Sequence, residues 1–417
     1  MNRAQNNKTG PKRRVVIVVE NLSVPFDRRV WRECNALSEA GYQVSTISPM
    51  GTDADKTWHD TIDGVSIYRY PIPQSDGGFV SYLLEYGVAV LMSFWLLWVV
   101  LLREGFDVIQ ICNPPDLLIL GALPFKLLGK GIIFDQHDLS PEIYEVQKGT
   151  TGKHGTVIRA LLAFEKLTYK FSDVVMVVNE SCREIAVARG QKKDQDVFVV
   201  RNGPSLRNIA GAQPNAALKN GQKYLLSYVG MMGPQEGIDI LLRAIQDLTR
   251  VHGRDDFHVR IMGGGTVLEQ MKQYAAELGM AANVAFTGPV DYPQVMEGIA
   301  SADLCLCPDP KTPLSDKCSL VKAIEYMSVG RAFIAFDLKE VHQMAGPAGA
   351  YAQPNDEADF ARKIHELLND PELRNAMGKT GRERVMQTLT WEHSKKSLYA
   401  AYDRAFEGRL SAVAEAA

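Results

Sequence analysis

Short apolar, β-branched runs recur along the chain and alternate with stretches of helical spacing. The runs are Val15–Val19, Val44–Ile47, Val65–Tyr70, Phe106–Cys112, Gly131–Phe134, Val174–Val178 and Val197–Val200. Between residues 19 and 44, Pro25 and Asp27 suit a helix start, Val30, Trp31, Cys34 and Leu37 recur at helical spacing, and Gly41 suits a stop. Further helical patterns lie around 116–128, 156–171 and 181–189. Alternation of this kind predicts a doubly wound parallel sheet with helices on both faces.

A polar stretch at 204–222, with two prolines and two glycines before the closing glutamine, has a linker's composition. A second alternating series follows, with strands at Tyr224–Val229, Phe257–Met262, Val284–Thr287, Leu304–Cys307 and Arg331–Phe336. Its helices are expected around 237–250, 266–279, 291–300 and 319–329, with a helical tail from about Asp356 to Val413. The expectation is an α/β protein of two Rossmann-like parallel-sheet domains, 1–204 and 222–390, facing a cleft. A C-terminal helix, 391–417, is expected to pack back towards the first domain.

The 23-residue stretch Val80–Leu102 breaks this rhythm, with Glu85 as its single charge. As a helix it would measure about 34 Å, enough to cross a bilayer. It lies far from the N-terminus and lacks a small-residue cleavage site, so it is no signal peptide. A crossing would place strands of one sheet on opposite sides of a membrane. Residues 88–102 are apolar all round except Ser93, and Tyr82, Tyr86, Phe94, Trp95 and Trp98 are side chains common at a membrane interface. Shallow insertion is therefore expected, assisted by Arg3, Lys8, Lys12, Arg13 and Arg14 of the N-terminal tail. An ordinary buried helix is the alternative.

Composition narrows the classes. The 417 residues are 46% hydrophobic, which excludes disorder and allows two or three cores. A net charge of −3 gives no basic stripe for nucleic acid. The six cysteines (34, 112, 182, 305, 307 and 318) form no CxxC pair, so a reducing cytoplasm and no structural zinc are expected. A mean hydropathy of −0.12 describes a soluble protein and conceals the apolar stretch.

Candidate chemistry belongs in the strand-to-helix loops. ENLSVPFD, after the first strand, contains no GxGxxG, and no GxxxxGK[ST] occurs, which weighs against dehydrogenase and NTPase chemistry. In the second domain, Gly263-Gly264-Gly265 follows a strand and could offer backbone amides to an anion. The run Ser319-Leu320-Val321-Lys322-Ala323-Ile324-Glu325 is stronger. Ser319 would cap a helix whose first amides and Lys322 face a diphosphate, with Glu325 further along to meet a ribose or sugar hydroxyl. Alternatively, Lys322 and Glu325 pair with each other on a solvated face. Asp53-Ala54-Asp55 imitates a metal-binding DxD but reads as surface loop.

VPFDRRVWRECNALSEAGYQV, FDQHDLSPEIY, VVRNGP, YVGMMGPQEGIDILLRAI and SLVKAIEYMSVGRAFIAFD together resemble the glycosyltransferases of family 4, which have the two-domain GT-B fold. The resemblance implies metal-independent, cofactor-free transfer of a hexosyl or N-acetylhexosaminyl group from a nucleoside-diphosphate sugar, with retention of configuration. It also implies lipid-linked saccharide acceptors in bacterial cell-surface polysaccharide assembly, at the inner face of the cytoplasmic membrane. Glu325 matches the ribose-binding glutamate, Lys322, Ser319 and Leu320 the diphosphate contacts, His137 the histidine near sugar and acceptor, and Asn202 the turn before the linker. Gly230, Gly264 and Gly265 are further donor-side candidates.

Departures are also present. Lys317 stands where the family has its first glutamate, and Met231 and Glu236 stand where it often has Arg and Lys. Pro25-Phe26-Asp27-Arg28 replaces a glycine pair. Lys317, Lys322 and Arg28 are the available replacement cations, and Asp27, Asp135 and Asp138 are possible base or acceptor-orienting groups. A sugar-nucleotide epimerase of the same architecture and a non-catalytic scaffold are the competing readings.

Overall fold

A computed structural model describes residues 12–51, 55–72, 79–148 and 155–416, the side chains of 79–83, 147, 148, 208, 210 and 409–416 excepted. The chain forms two compact units, residues 1–200 with 395–417 and residues 201–394.

The first unit is built on an eight-stranded sheet. Its strands are β1 (Arg14–Val18), β2 (Gln43–Pro49), β3 (His59–Ile62), β4 (Val65–Tyr70), β5 (Val108–Cys112), β6 (Gly131–Gln136), β7 (Val174–Val177) and β8 (Val197–Val199). Their order is β3-β4-β2-β1-β5-β6-β7-β8, and all neighbours are parallel except β3 against β4. β1, β5, β6 and β7 are buried throughout or nearly so, as strands covered on both faces must be. The order reverses between β1 and β5, which makes their C-terminal ends a crevice.

The apolar stretch is the helix Phe79–Arg103, the crossover from β4 to β5. It meets the length and apolarity of a membrane span. However, β4 and β5 belong to one sheet, so both helix ends are tied to the same sheet. Ala89, Ser93, Leu96, Leu97 and Val100 are buried on one side, and Leu84, Leu91, Trp95 and Leu102 are exposed on the other. Phe94 and Trp98 pack on Phe125 of the adjoining helix Ile119–Leu127, so they do not join the exposed face. The side chain of Tyr82 lies outside the described residues.

The second unit has a six-stranded parallel sheet. It consists of β9 (Tyr224–Val229), β10 (Phe257–Met262), β11 (Val284–Gly288), β12 (Leu304–Cys307), β13 (Phe333–Phe336) and β14 (Gly349–Ala352), in the order β11-β10-β9-β12-β13-β14. Its reversal point lies between β9 and β12. The helix Ile238–Arg250 is strongly amphipathic, burying Ile238, Leu241, Leu242, Ile245 and Leu248 against this sheet.

The structure differs from the sequence reading at the expected linker, whereas the C-terminal helix packs as expected. The segment 204–222 packs within the second unit. Ile209 joins its core, Asn215 bonds Ser301 and Glu297, and Lys219 pairs with Asp303. The C-terminal helix Trp391–Ala416 passes into the first unit, where Tyr399 donates to the Ala36 carbonyl, Tyr402 to Gln110 and Arg404 to Asp196.

Candidate functional site

In the second unit a pocket of about 320 Å³ opens at the β9/β12 reversal point. Its lining comes from three loops: Val229, Gly230, Met231 and Glu236 after β9, Asp309 after β12, and Ser319, Leu320, Val321, Lys322 and Glu325 around the helix Val321–Ser328. Leu320 occupies the N-cap position and supplies no side-chain cap. Ser319 is therefore not the expected cap. Its hydroxyl donates instead to buried Glu340, at 3.4 Å, a carboxylate that also pairs with Arg201 at 3.1 Å. The helix presents its first turn to the pocket without a capping oxygen, an arrangement suited to an anion.

Lys322 does not pair with Glu325. Its ammonium is buried between Asp309 (2.8 and 2.9 Å) and Glu236 (2.8 Å), over the ring of Tyr228 with Nζ 4.9 Å from the centroid. Burial alone would lower the Lys322 pKa, but Asp309, Tyr228 and Glu236 override it and hold the group well above the usual range. Asp309 is pushed up by burial and by Glu236 against the pull of Lys322. Gly237 fixes this contact: at φ +70°, a Cβ there would lie 2.2 Å from the Pro308 carbonyl oxygen, so only glycine lets the Glu236 turn approach Asp309. Asp309 was missed in the sequence. An aspartate just past a strand end in a Pro-Asp-Pro turn resembles ordinary loop chemistry, and only its burial against a lysine marks it.

Other donor candidates lie elsewhere. Gly264 and Gly265 brace the β9 loop from outside the pocket. Met232 N–H donates to the Gly264 carbonyl at 2.7 Å, and a Cβ on Gly265 would meet Met232 O at 2.3 Å. Close packing of two backbones explains these glycines without an anion. Lys317 ends a short 3-10 turn, Ser315–Lys317, and Asn202 follows β8; neither lines the pocket.

The first unit holds a second cluster at the end of β6. Asp135 is fully buried, accepting from Arg29 through both oxygens (2.7 and 3.2 Å) and from Gln110 at 3.1 Å. His137 Nε2 lies 2.7 Å from Asp135 Oδ2, and the Asn113 side-chain oxygen receives the backbone N–H groups of His137 and Asp138. Behind Arg29, at 3.2 Å, lies buried Glu33, which also accepts from Gln110 at 2.7 Å. Asp135 therefore binds a guanidinium and an imidazole; loop amides are not its partners.

The electrostatics follow from burial. Burial would raise Asp135, but Arg29 and His137 hold it well below the usual carboxylate range. Burial and the neighbouring Asp135 push Glu33 up to about 7. For His137 burial lowers the pKa, yet the Asp135 carboxylate outweighs it and raises the group above its ordinary value. Burial also raises Asp138.

Cys112, Asp135 and His137 bring ligand atoms within 4.8 Å of one another, a grouping a metal could use. Arg29 already holds both Asp135 oxygens, so a cation would have to displace a guanidinium. Arg29, Glu33 and Gln110 were missed in the sequence, although two signals existed. Arg29 and Glu33 flank the apolar positions Val30 and Cys34 at a four-residue spacing, and Gln110 interrupts the apolar run of a central strand.

Several first-unit candidates have structural roles. Asp27 caps the helix Arg28–Glu39, accepting from the backbone N–H groups of Arg29 and Val30 at 3.0 Å each, so the acceptor role expected of it gives way to capping. Arg28 is exposed. Asp55 accepts from Ser23 at 2.8 Å and pairs with Arg69 at 3.5 Å, and Asp53 and Ala54 lie outside the described residues. Of the tail cations, Arg13 pairs with Asp403 and Arg14 with Asp107, while Arg3 and Lys8 lie outside the described residues.

Comparison with known proteins agrees with this geometry. Residues 27–203 match the family model "Glycosyl transferase 4-like domain", and residues 211–384 match "Glycosyl transferases group 1". A D-inositol 3-phosphate glycosyltransferase of Nocardia farcinica is 27% identical over 246 residues, 55% of this chain and 52% of that protein. The chain thus spans about half the length of the curated relatives it first matches. Among solved structures, sucrose-phosphate synthase from Thermosynechococcus elongatus superposes with a TM-score of 0.76 at 18% identity, covering 95% of this chain and 100% of that one. Anabaena HepE in complex with UDP-glucose gives a TM-score of 0.66 at 13% identity, covering 94% and 99%. These likenesses establish the GT-B fold. With two adjacent family models accounting for most of its length, the chain belongs to the glycosyltransferases of family 4.

Proposed function

We propose that the protein transfers a hexosyl or N-acetylhexosaminyl group from a nucleoside-diphosphate sugar to a lipid-linked saccharide, in the assembly of a bacterial surface polysaccharide. The observation that carries this reading is the second-unit pocket, where an uncapped helix start, one buried ammonium and Glu325 converge. The diphosphate would lie against the first turn of Val321–Ser328. Lys322 would offset the charge that develops as the sugar–phosphate bond breaks, a preorganised electrostatic contribution. Glu325 would take the ribose and His137 the sugar or acceptor hydroxyl. With no nucleophile assigned, the reading is same-face attack with retention: the departing phosphate oxygen accepts the acceptor's proton, and no metal is required.

The test is a panel of UDP-, GDP- and dTDP-sugars with membrane-extracted lipid acceptors, with product configuration read by NMR. Transfer from one donor, with retained configuration, is expected. Absence of transfer from every donor, or an altered donor formed without acceptor, overturns the reading; the second result is epimerisation. One observation favours a non-catalytic scaffold: Glu236, Asp309 and Glu325 set three carboxylates against Lys322 in a pocket meant for an anion. Under that alternative Lys322→Ala and Glu325→Ala would still support full polymer synthesis.

The membrane part of the proposal rests on the outer face of Phe79–Arg103. Leu84, Leu91, Trp95 and Leu102 (81% exposed) recur along one side of this helix, and Trp58 packs edge-on against Trp95. Such a contiguous apolar face suits lipid better than water. Leu91→Glu/Trp95→Glu should abolish co-sedimentation with anionic vesicles and leave thermal stability unchanged. A wild type that stays with the supernatant overturns docking.

A further inference from the structure

His137 is held by a structure that extends well behind it. Its Nε2 meets a carboxylate with no solvent exposure, and that carboxylate is in turn gripped by a guanidinium from another element. A buried carboxylate this close fixes the ring's rotation and determines which nitrogen is occupied. Nε2 is taken by Asp135, while the His137 side chain keeps 16% of its surface open. We propose that Asp135 is the positioning residue for His137 in sugar transfer, engaging Nε2 so that Nδ1 is the nitrogen offered to the reacting groups, as a charged donor rather than a base. The proposal rests on the reading of His137 given above.

Charge placement supports a donor. The groups facing His137 are Asp135 on β6, Arg29 and Glu33 on the helix Arg28–Glu39, Asp138 beside it and buried Cys112 on β5. Tyr402 of the C-terminal helix closes the network from behind through Gln110 Oε1, at 2.5 Å. Asp135 is the carboxylate in contact, and it favours the imidazolium; Arg29 opposes it from the far side of the same carboxylate. If Asp135 were lost, burial and Arg29 would both act to discharge the ring.

The sign for activity follows. A donor imidazolium is present at low pH and lost as pH rises through its raised pKa, so turnover should fall on the alkaline side. A base would give the opposite limb. In Asp135→Asn, which keeps an oxygen for Arg29, the alkaline limb should move to lower pH and kcat should fall by about 10- to 100-fold, with donor KM within about threefold.

The experiment is an imidazole NMR titration of full-length wild type and Asp135→Asn, with His137→Asn to assign the resonance, beside pH–rate profiles of the same proteins. A wild-type His137 titrating above its ordinary value, and a downward shift in Asp135→Asn, support the proposal. Titration at or below the ordinary value, no shift in the variant, or an acidic limb in the rate overturns it. Should Asp135→Asn fail to fold, Glu33→Gln leaves the Arg29–Asp135 pair in place and should give a smaller downward shift; an upward shift overturns the proposal. Full activity in His137→Asn alongside the expected titration would reject the role of His137 in transfer while leaving the pairing itself established.

Discussion

The Lys322 and His137 clusters place buried charge at corresponding positions, each at the C-terminal end of a parallel sheet, but with opposite arrangements. In the second unit one cation sits between two carboxylates, Asp309 and Glu236. In the first, one carboxylate, Asp135, sits between two potential cations, Arg29 and His137. Burying a charge is costly unless partners replace its hydration, and each arrangement supplies them in excess. The excess differs in use. Around Asp135 it leaves a ring nitrogen for chemistry, whereas around Lys322 it occupies the ammonium that a diphosphate would need.

The largest effect should come from removing the one cation that two carboxylates share. Lys322→Met strands Asp309 and Glu236 and should destabilise the second unit by about 3–5 kcal/mol in denaturant unfolding, with donor turnover lost. Lys322→Met/Asp309→Asn should recover much of the stability and none of the turnover. Recovery of turnover, or a single-variant cost below about 1 kcal/mol, would break the comparison. Arg29→Met should cost less, about 2–3 kcal/mol, because Asp135 keeps Gln110 and the His137 imidazolium as donors. A cost equal to that of Lys322→Met would show that His137 contributes nothing to holding Asp135.

Glu236→Gln sharpens the difference in use. It keeps the side-chain shape and Asp309 while removing one of the two charges that occupy Lys322. Donor KM should fall by about three- to tenfold, in line with roughly 1 kcal/mol for one partly buried charge contact, with little change in stability. A rise in KM would instead make Glu236 part of the donor site.

Much of this architecture was legible because the central strands are largely buried on both faces and so read as mainly apolar runs; β9, β10 and β12 have the expected limits. β3 was not legible. Its residues His59–Ile62 alternate between exposed and half-buried and pair on one side only, so no apolar face marks the strand. The polar segment 204–222 read as a linker because composition cannot show that Ile209 enters a core. Of the residues singled out in the sequence, His137 directly follows β6, and Lys322 and Glu325 line the second-unit pocket from one helix. Asp309, Arg29 and Gln110 were not singled out, because what defines them is a partner distant in sequence: Lys322 for Asp309, Asp135 for the other two. Gly264 and Gly265 are ambiguous for the converse reason, since close backbone packing and anion binding call for the same residue.

The smallest effect tests the surplus carboxylate of the first cluster, Glu33, the counterpart of Glu236. Its ordinary pKa of 4.5 rises to about 7 in the fold, chiefly through burial and then Asp135, with Arg29 opposing. Between those values the native state holds a proton that the unfolded state has released, so stability falls as pH rises from about 4.5 and levels off above about 7. This is opposite in sign to Asp135, whose depressed pKa makes its contribution disappear as pH falls. Glu33→Gln removes the ionisation and keeps an oxygen for the Gln110 amide. The variant should match wild type at pH 5 and exceed it by on the order of 1 kcal/mol at pH 8, measured by urea unfolding. The other raised first-unit carboxylates, Glu20, Asp116, Asp138 and Glu165, slope the same way in both proteins and cancel in the difference. A variant less stable than wild type at pH 8 would mean that ionised Glu33 is needed to balance Arg29, and that the surplus lies only around Lys322.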